Sequence, residues 1–127
     1  MELHELRVLV EQDSQIDDTQ LDTESLRLPA LHNKYLNFYH DAKLRYEKAS
    51  NEYNRLYRLK WEYYTGKIDQ ETLDKKGWEP FQHNILKQDI PIFMNSDEDL
   101  CKRKEIIAYI KSIVEYLEEV VKEITFR

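Results

Sequence analysis

The stretch that decides the fold runs from Leu31 to Gly66 and reads LHNKYLNFYHDAKLRYEKASNEYNRLYRLKWEYYTG. Ten of its residues recur in steps of three and four, which places them on one stripe of an α-helix. They are Leu31, Tyr35, Phe38, Ala42, Tyr46, Ala49, Tyr53, Leu56, Lys60 and Tyr63. Nine of the ten are apolar or aromatic, so the stretch predicts a long helix with one buried face.

Lys60 is the exception in this stripe, because a strongly hydrated ammonium stands where a buried side chain is expected. A lysine is tolerated there only if its charged end reaches water or faces an anion. The helix is predicted to end at Thr65 and Gly66, since glycine readily takes the left-handed conformation that satisfies the last carbonyl groups of a helix.

Shorter helices are predicted before this stretch. Residues 2–12 form an amphipathic pattern that is marginal alone and must dock on another element. Asp18 or Thr19 is the predicted N-cap of a second helix. We expect a kink or break at Pro29, with the long helix beginning at or just after it. Leu28 keeps the phase of the stripe, which favours a kinked continuation over two unrelated helices.

After Gly66 the chain is predicted to form one short helix and then a partly irregular linker. Asp69 is the predicted N-cap of the short helix QETLDKK, which is expected to end at Gly77. The segment Trp78–Pro91 is interpreted as irregular or partly extended. Its apolar side chains are expected to pack onto the helices or onto a neighbouring subunit.

A final helix is predicted from the capping signal Ser96–Asp99 to about the C-terminus. Its apolar stripe is wide enough to need partners on two sides, either the short helices or another copy of the chain. The predicted oligomerisation residues in this stripe are Ile107, Ile110, Val114, Leu117, Val121 and Ile124. No glycine that could cap the helix follows, so the helix is expected to continue beyond Arg127.

These patterns predict an all-α chain in one domain, residues 1–127. Short N-terminal helices and the long central helix occupy 1–67, the linker 68–95 and the apolar assembly helix 96–127. Two glycines and three prolines argue against a β-sandwich and against a glycine-rich nucleotide site. The single cysteine, the lack of a run of about 18 apolar residues and the acidic start predict an intracellular protein outside the membrane.

The charge distribution points to a polyanion despite a net charge of −6. Residues 1–33 hold two basic and eight acidic side chains, and residues 68–127 hold nine and thirteen. Residues 34–67 instead hold eight basic and four acidic side chains. Positive charge is therefore concentrated on the central helix, which gives a local basic footprint in an acidic protein.

The candidate nucleic-acid-binding residues at the end of the long helix are Arg58, Lys60, Lys67 and Tyr64. Positive charge for the phosphates and a ring face for the bases are what single-strand binding surfaces combine. The plainer interpretation is a solvated helix face, which we prefer for Arg45, Lys48 and Arg55. Tyr63 is expected in the core, and Trp61 fits either role.

No enzyme is predicted from this sequence. The four histidines lack metal-ligand spacing, and Cys101 has no thiol or histidine near it in the sequence. The sequence contains no P-loop, GxSxG or dinucleotide fingerprint. We therefore predict no catalytic residue, no metal site and no cofactor.

The run Arg58–Gly66, RLKWEYYTG, resembles the signature of the UvsY family, the recombination mediators of T-even-like phages. At the level of pattern, the resemblance extends from residues 16–21, IDDTQL, through Leu31, Lys34 and Leu36–Asn37 to the final apolar helix. Proteins of this family carry further helical residues past the equivalent of the C-terminus.

The resemblance implies a ring-like homo-oligomer, a heptamer, in the cytoplasm of the infected bacterial host. Such a mediator binds single-stranded DNA, contacts the phage single-strand-binding protein and loads the phage recombinase in its place. The family's two basic DNA-binding positions fall on Arg58 and Lys60, with arginine and lysine exchanged but charge kept. The alternative is a helical scaffold or adaptor that acts through oligomerisation without DNA.

Overall fold

Helices make up most of the part of the chain that the structure, a computed structural model, describes: residues 1–15, 21–81 and 85–125. The elements are α1 (Leu3–Ser14), α2 (Leu21–Tyr64), α3 (Gln70–Lys76), a 3₁₀ turn (Lys87–Asp89), α4 (Ile90–Ser96) and α5 (Glu98–Thr125). These ranges contain no strand, so the predicted all-α fold with one long central helix is confirmed. The predicted N-cap residues Asp18 and Thr19 lie outside them. None of the described helices is long and apolar enough to span a membrane.

Helix α2 carries the predicted stripe, and every stripe residue is buried or partly buried. Its start differs from the prediction, because the helix begins at Leu21 and continues through Pro29. Proline removes one backbone hydrogen bond from a helix interior. Contacts on both sides of Pro29 hold the helix to α1, since Arg27 Nη2 donates to Asp13 O at 2.9 Å and Lys34 Nζ donates to Asp13 Oδ2 at 2.8 Å.

The end of α2 agrees with the prediction. The helix ends at Tyr64, and Gly66 takes a φ of +75°. The Lys67 N–H donates to Glu62 O at 2.8 Å, and the Gly66 N–H donates to Tyr63 O at 3.4 Å. This pair of bonds satisfies two of the last carbonyl groups, which is the Schellman arrangement that a left-handed residue permits.

The linker after α2 is more helical than predicted. Helix α3 is confirmed, with the Asp69 carboxylate accepting from the Thr72 N–H at 2.8 Å and Gly77 at a φ of +67°. The expectation of an irregular segment up to Pro91 was wrong at its end, because α4 begins at Ile90. Proline is compatible with a first helical turn, where its missing N–H costs no intrahelical bond.

Helix α5 begins within the predicted capping signal, but one residue later than a capping box at Ser96 requires. Ser96 is the last residue of α4, and its hydroxyl donates to Ile92 O at 2.8 Å. Asp97 caps α5 instead, because its Oδ1 accepts from the Leu100 N–H at 3.0 Å. The capping side chain still accepts from a backbone N–H three residues later. The capping signal was therefore correct, but the capping residue is Asp97 and not Ser96.

The chain divides into two compact units, one formed by Met1–Glu47 with Ala108–Arg127 and the other by Lys48–Ile107. The core of the first unit draws on α1, α2 and α5. Its buried residues are Leu6, Leu31, Tyr35, Ala42, Ile113, Leu117, Val120 and Ile124. The second unit contains the end of α2, the linker helices and the start of α5, and it holds the predicted nucleic-acid-binding residues.

Candidate nucleic-acid interface

Lys60 is buried, and its ammonium faces two carboxylates. Only 6% of the residue is exposed, and Nζ lies 3.2 Å from Asp97 Oδ2 and 2.9 Å from Asp99 Oδ2. The same Nζ lies 4.1 Å from the centre of the Trp78 ring, within cation–π distance. A lysine in the apolar stripe is tolerated if its charged end faces an anion, and carboxylates of this chain supply that anion.

Asp97 is the centre of this buried network. Its Oδ2 accepts a hydrogen bond from Tyr64 Oη at 2.6 Å and pairs with Lys60, while its Oδ1 accepts from the Leu100 N–H. Burial raises the pKa of the Asp97 carboxyl, but the hydrogen bonds from Tyr64, Leu100 and Lys60 together outweigh it. The pKa of Asp97 therefore lies below its ordinary value. One carboxylate joins the end of α2 to the start of α5.

The lowered pKa of Asp97 predicts a loss of stability in acid. Its contribution is fully present above the unfolded aspartate pKa of about 3.9 and is lost as the pH falls through the lower folded value. We expect the free energy of unfolding of the natural chain to exceed that of Asp97→Asn most at pH 7, with the gap shrinking below about pH 4. Urea denaturation at several pH values measures the gap.

Comparing the natural chain with Asp97→Asn cancels the contributions of other carboxylates, since these are present in both proteins. Asp13, whose pKa is also lowered, is one of them. A gap between the natural chain and Asp97→Asn that stays constant down to pH 2 would contradict the assigned pairing.

Arg58 and Lys67 are the exposed members of the predicted site. The Arg58 side chain is 83% exposed, and its Nε donates to Glu62 Oε1 at 3.2 Å. Exposed pairs of this kind contribute between zero and about 1 kcal/mol, so a phosphate can replace the carboxylate at small cost. Lys67 Nζ lies 4.6 Å from the centre of the Trp61 ring, and Trp61 itself is 37% exposed.

Lys60 is buried in the second unit, whereas Tyr64 is partly exposed and is held by contacts within this unit. The Tyr64 ring packs 5.0 Å from the Phe81 centroid and 5.8 Å from that of Phe93, and its hydroxyl is bonded to Asp97. The predicted site is therefore split into two exposed cations and two residues that are bonded to the buried Asp97. Direct contact of Lys60 or Tyr64 with DNA stays a prediction.

A groove next to Lys67 was missed by the sequence analysis. It has a volume of about 540 Å³ and is lined by side chains that include Tyr57, Trp61 and Tyr64 of α2 and Lys87 of the 3₁₀ turn. The spacing of these three aromatic residues, four and then three, is a signal in the sequence that places them on one helix face. Nothing local indicates that Lys87 joins them, since it lies 20 residues after Lys67.

The predicted oligomerisation residues are largely covered by the chain itself. Ile110, Leu117 and Ile124 are buried, at 3%, 1% and 9% exposed. Val114 and Val121 pack against the core of the first unit but stay partly exposed, as does Ile107 of the second unit. An interface between copies remains a prediction, and these three partly exposed residues are the ones with area left for it.

Comparison with known proteins assigns the family. Residues 9–127 match the family model described as "Recombination, repair and ssDNA binding protein UvsY". No significant match was found among curated proteins. Crystal structures of the bacteriophage T4 recombination mediator protein UvsY superpose with TM-scores of 0.84 (lattice type II), 0.85 (type IV) and 0.81 (type I), at 20%, 19% and 19% sequence identity. They cover 98%, 98% and 95% of this chain, which in turn covers 86%, 88% and 86% of theirs. The resemblance found in the sequence is thus confirmed, and the chain belongs to the UvsY family.

Proposed function

We propose that this chain is a recombination mediator that binds single-stranded DNA through the exposed end of α2 and places a phage recombinase on the strand in place of the single-strand-binding protein. Membership of the UvsY family supports the mediator role. The observation that carries the site is the pair of exposed cations, Arg58 and Lys67, with Lys67 next to the exposed ring of Trp61. Positive charge beside an accessible aromatic ring suits a ligand with phosphates and unpaired bases.

The four predicted residues then have two roles. Arg58 and Lys67 neutralise phosphates from the surface. Lys60 and Tyr64 hold the end of α2 in place from inside, because both are bonded to Asp97. Substituting the buried Lys60 would weaken DNA binding by disturbing this surface rather than by removing a contact.

Assembly would strengthen the weak DNA binding of a single chain. The DNA-binding edge, formed by Arg58, Lys67 and Trp61, would be present once in each copy. In a ring-like homo-oligomer, predicted to be a heptamer, each copy presents one edge to the same strand, and the linked edges gain affinity without new contacts. The partly exposed Ile107, Val114 and Val121 are the proposed interface residues. Such a ring would hold the strand in a shape that disfavours the single-strand-binding protein and favours recombinase nucleation in the host cytoplasm.

Salt dependence tests the DNA-binding role. We expect the logarithm of the affinity for a labelled oligothymidylate to fall linearly with the logarithm of salt concentration, as counterion release requires. The double variant Arg58→Ala with Lys67→Ala should lose about tenfold or more in affinity at low salt, and its slope should decrease by about 0.7 for each phosphate contact removed. Fluorescence anisotropy gives both quantities, and sedimentation with and without the oligonucleotide gives the assembly state.

A charge-matched control keeps the total charge change constant. Lys102 and Lys104 are exposed on α5, and changing both to alanine removes the same two charges. This control should bind nearly as well as the natural chain. Equal losses in the two double variants would show a general field effect and would remove the site assignment.

A helical scaffold without a DNA role is the second candidate. It is favoured by the Arg58–Glu62 pair, which shows that Arg58 has a partner within its own helix. A chain that assembles in sedimentation but ignores oligonucleotides even in dilute buffer would establish this alternative.

A further inference from the structure

We propose that the groove beside Lys67 binds one unstacked base of the single strand. This inference rests on the proposed function and specifies which part of the DNA the site binds. The groove has a volume of about 540 Å³. Pockets that enclose small organic molecules range from about 300 to 1,000 Å³, so a nucleotide is a ligand of suitable size. Lys67 and Trp61 belong both to the proposed DNA edge and to the groove lining, which makes the two continuous.

The walls of the groove offer ring surfaces for stacking. Tyr57 and Trp61 line it and are still 44% and 37% exposed. Phe81 and Ile90 add apolar area to the lining and are themselves partly buried. Large aromatic rings left in water are a favourable surface for any planar apolar partner, and every base presents a π-face of this kind.

The charges around the groove select an anionic ligand. Lys67 and Lys87 line it, and none of the described residues in the lining is acidic. The positive charge of the lining contrasts with the whole chain, in which 25 acidic residues outnumber 19 basic ones. Lys67 Nζ lies directly over the Trp61 ring, so a base stacked nearby would bring its own phosphate close to an ammonium. Together these features match a ligand with a planar apolar group flanked by negative charge.

Two of the three hydroxyl groups in the described lining are already in use, and the third belongs to Tyr57. Tyr64 Oη donates to Asp97, and Thr65 Oγ1 donates to Trp61 O at 2.7 Å. Few donors or acceptors are therefore left to read the edge of a base. We expect the groove to accept all four bases with little preference, because stacking does not depend on the hydrogen-bonding edge.

Abasic oligonucleotides separate stacking from phosphate contact. An oligothymidylate and a strand of the same length with abasic residues carry the same charge, so they differ only in the bases. We expect the natural chain to bind the abasic strand about tenfold more weakly, with an unchanged salt slope. Trp61→Ala should reduce this ratio to about one, whereas Trp61→Phe should keep most of it because a ring remains. Tyr57→Ala serves as a second test if Trp61→Ala lowers the helical circular dichroism.

The Arg58→Ala variant distinguishes the groove from the rest of the edge. It should reduce the salt slope and leave the ratio between the two strands unchanged. Salt-dependent binding that is equal for both strands would overturn the groove assignment while leaving the proposed function intact. Absence of binding to either strand would overturn both. Competition by an acidic peptide that alternates Asp and Phe, with no discrimination between strands, would assign the groove to a protein segment and also overturn the proposal.

Discussion

Replacing Lys60 with alanine is expected to lower the free energy of unfolding by about 3 kcal/mol or more, the range seen when one partner of a buried ion pair is removed. The substitution takes away the cation that balances Asp97, which is 6% exposed, and Asp99. Asp97 keeps its bonds to Tyr64 and to the Leu100 N–H, and these limit the loss. Urea denaturation followed by circular dichroism at pH 7 measures the change.

Two comparisons make the Lys60 result interpretable. Lys67→Ala removes an exposed lysine from the end of the same helix and should change stability by about 0.5 kcal/mol or less. Combining Lys60→Met with Asp97→Asn removes both charges, so the double variant should recover part of the loss. If Lys60→Ala is as stable as the natural chain but no longer binds DNA, then Lys60 contacts the strand directly, as the family resemblance implies.

Leu117→Ala is expected to destabilise the chain by about 2–5 kcal/mol, the usual cost of truncating a fully buried leucine. Leu117 is 1% exposed and lies in the core of the first unit with residues of α1 and α2. The cavity left behind removes contacts from the neighbouring side chains, which cannot collapse fully into the space. Thermal and urea denaturation both measure the loss.

An exposed leucine is the matched control for this substitution. Leu44 is 69% exposed on α2, so Leu44→Ala should change the free energy of unfolding by about 0.5 kcal/mol or less. Sedimentation of both variants separates core from interface. Normal stability of Leu117→Ala together with a lost assembly would mean that this part of α5 faces another copy of the chain.

Local signals were enough to predict the helices that have clear ends. The stripe of α2 and the turn at Gly66 were predicted correctly, because periodicity and a left-handed glycine act over a few residues. Helix α3 was predicted between Asp69 and Gly77 for the same reason. These features depend on backbone conformation and on the hydrogen bonds of neighbouring residues.

Features that depend on distant contacts were not predicted. The long helix was expected to begin at or just after a kink or break at Pro29, but it begins at Leu21, and contacts to Asp13 on α1 hold it on both sides of the proline. Lys60 is anomalous in the sequence, yet its partner Asp97 is 37 residues away, where the local pattern indicates only the start of a helix. A sequence indicates that a buried charge needs a partner, and only the fold selects which one.

The three bonds of Asp97 have a consequence for how the end of α2 moves. A helix terminus usually frays, and a loose terminus must be ordered when a ligand binds, which lowers affinity. Here the last turn of α2 is bonded through Lys60 and Tyr64 to the residue that caps α5. Fraying of the α2 terminus therefore requires the bonds to Asp97 to break, which preorganises the surface that carries Lys67 before a ligand binds.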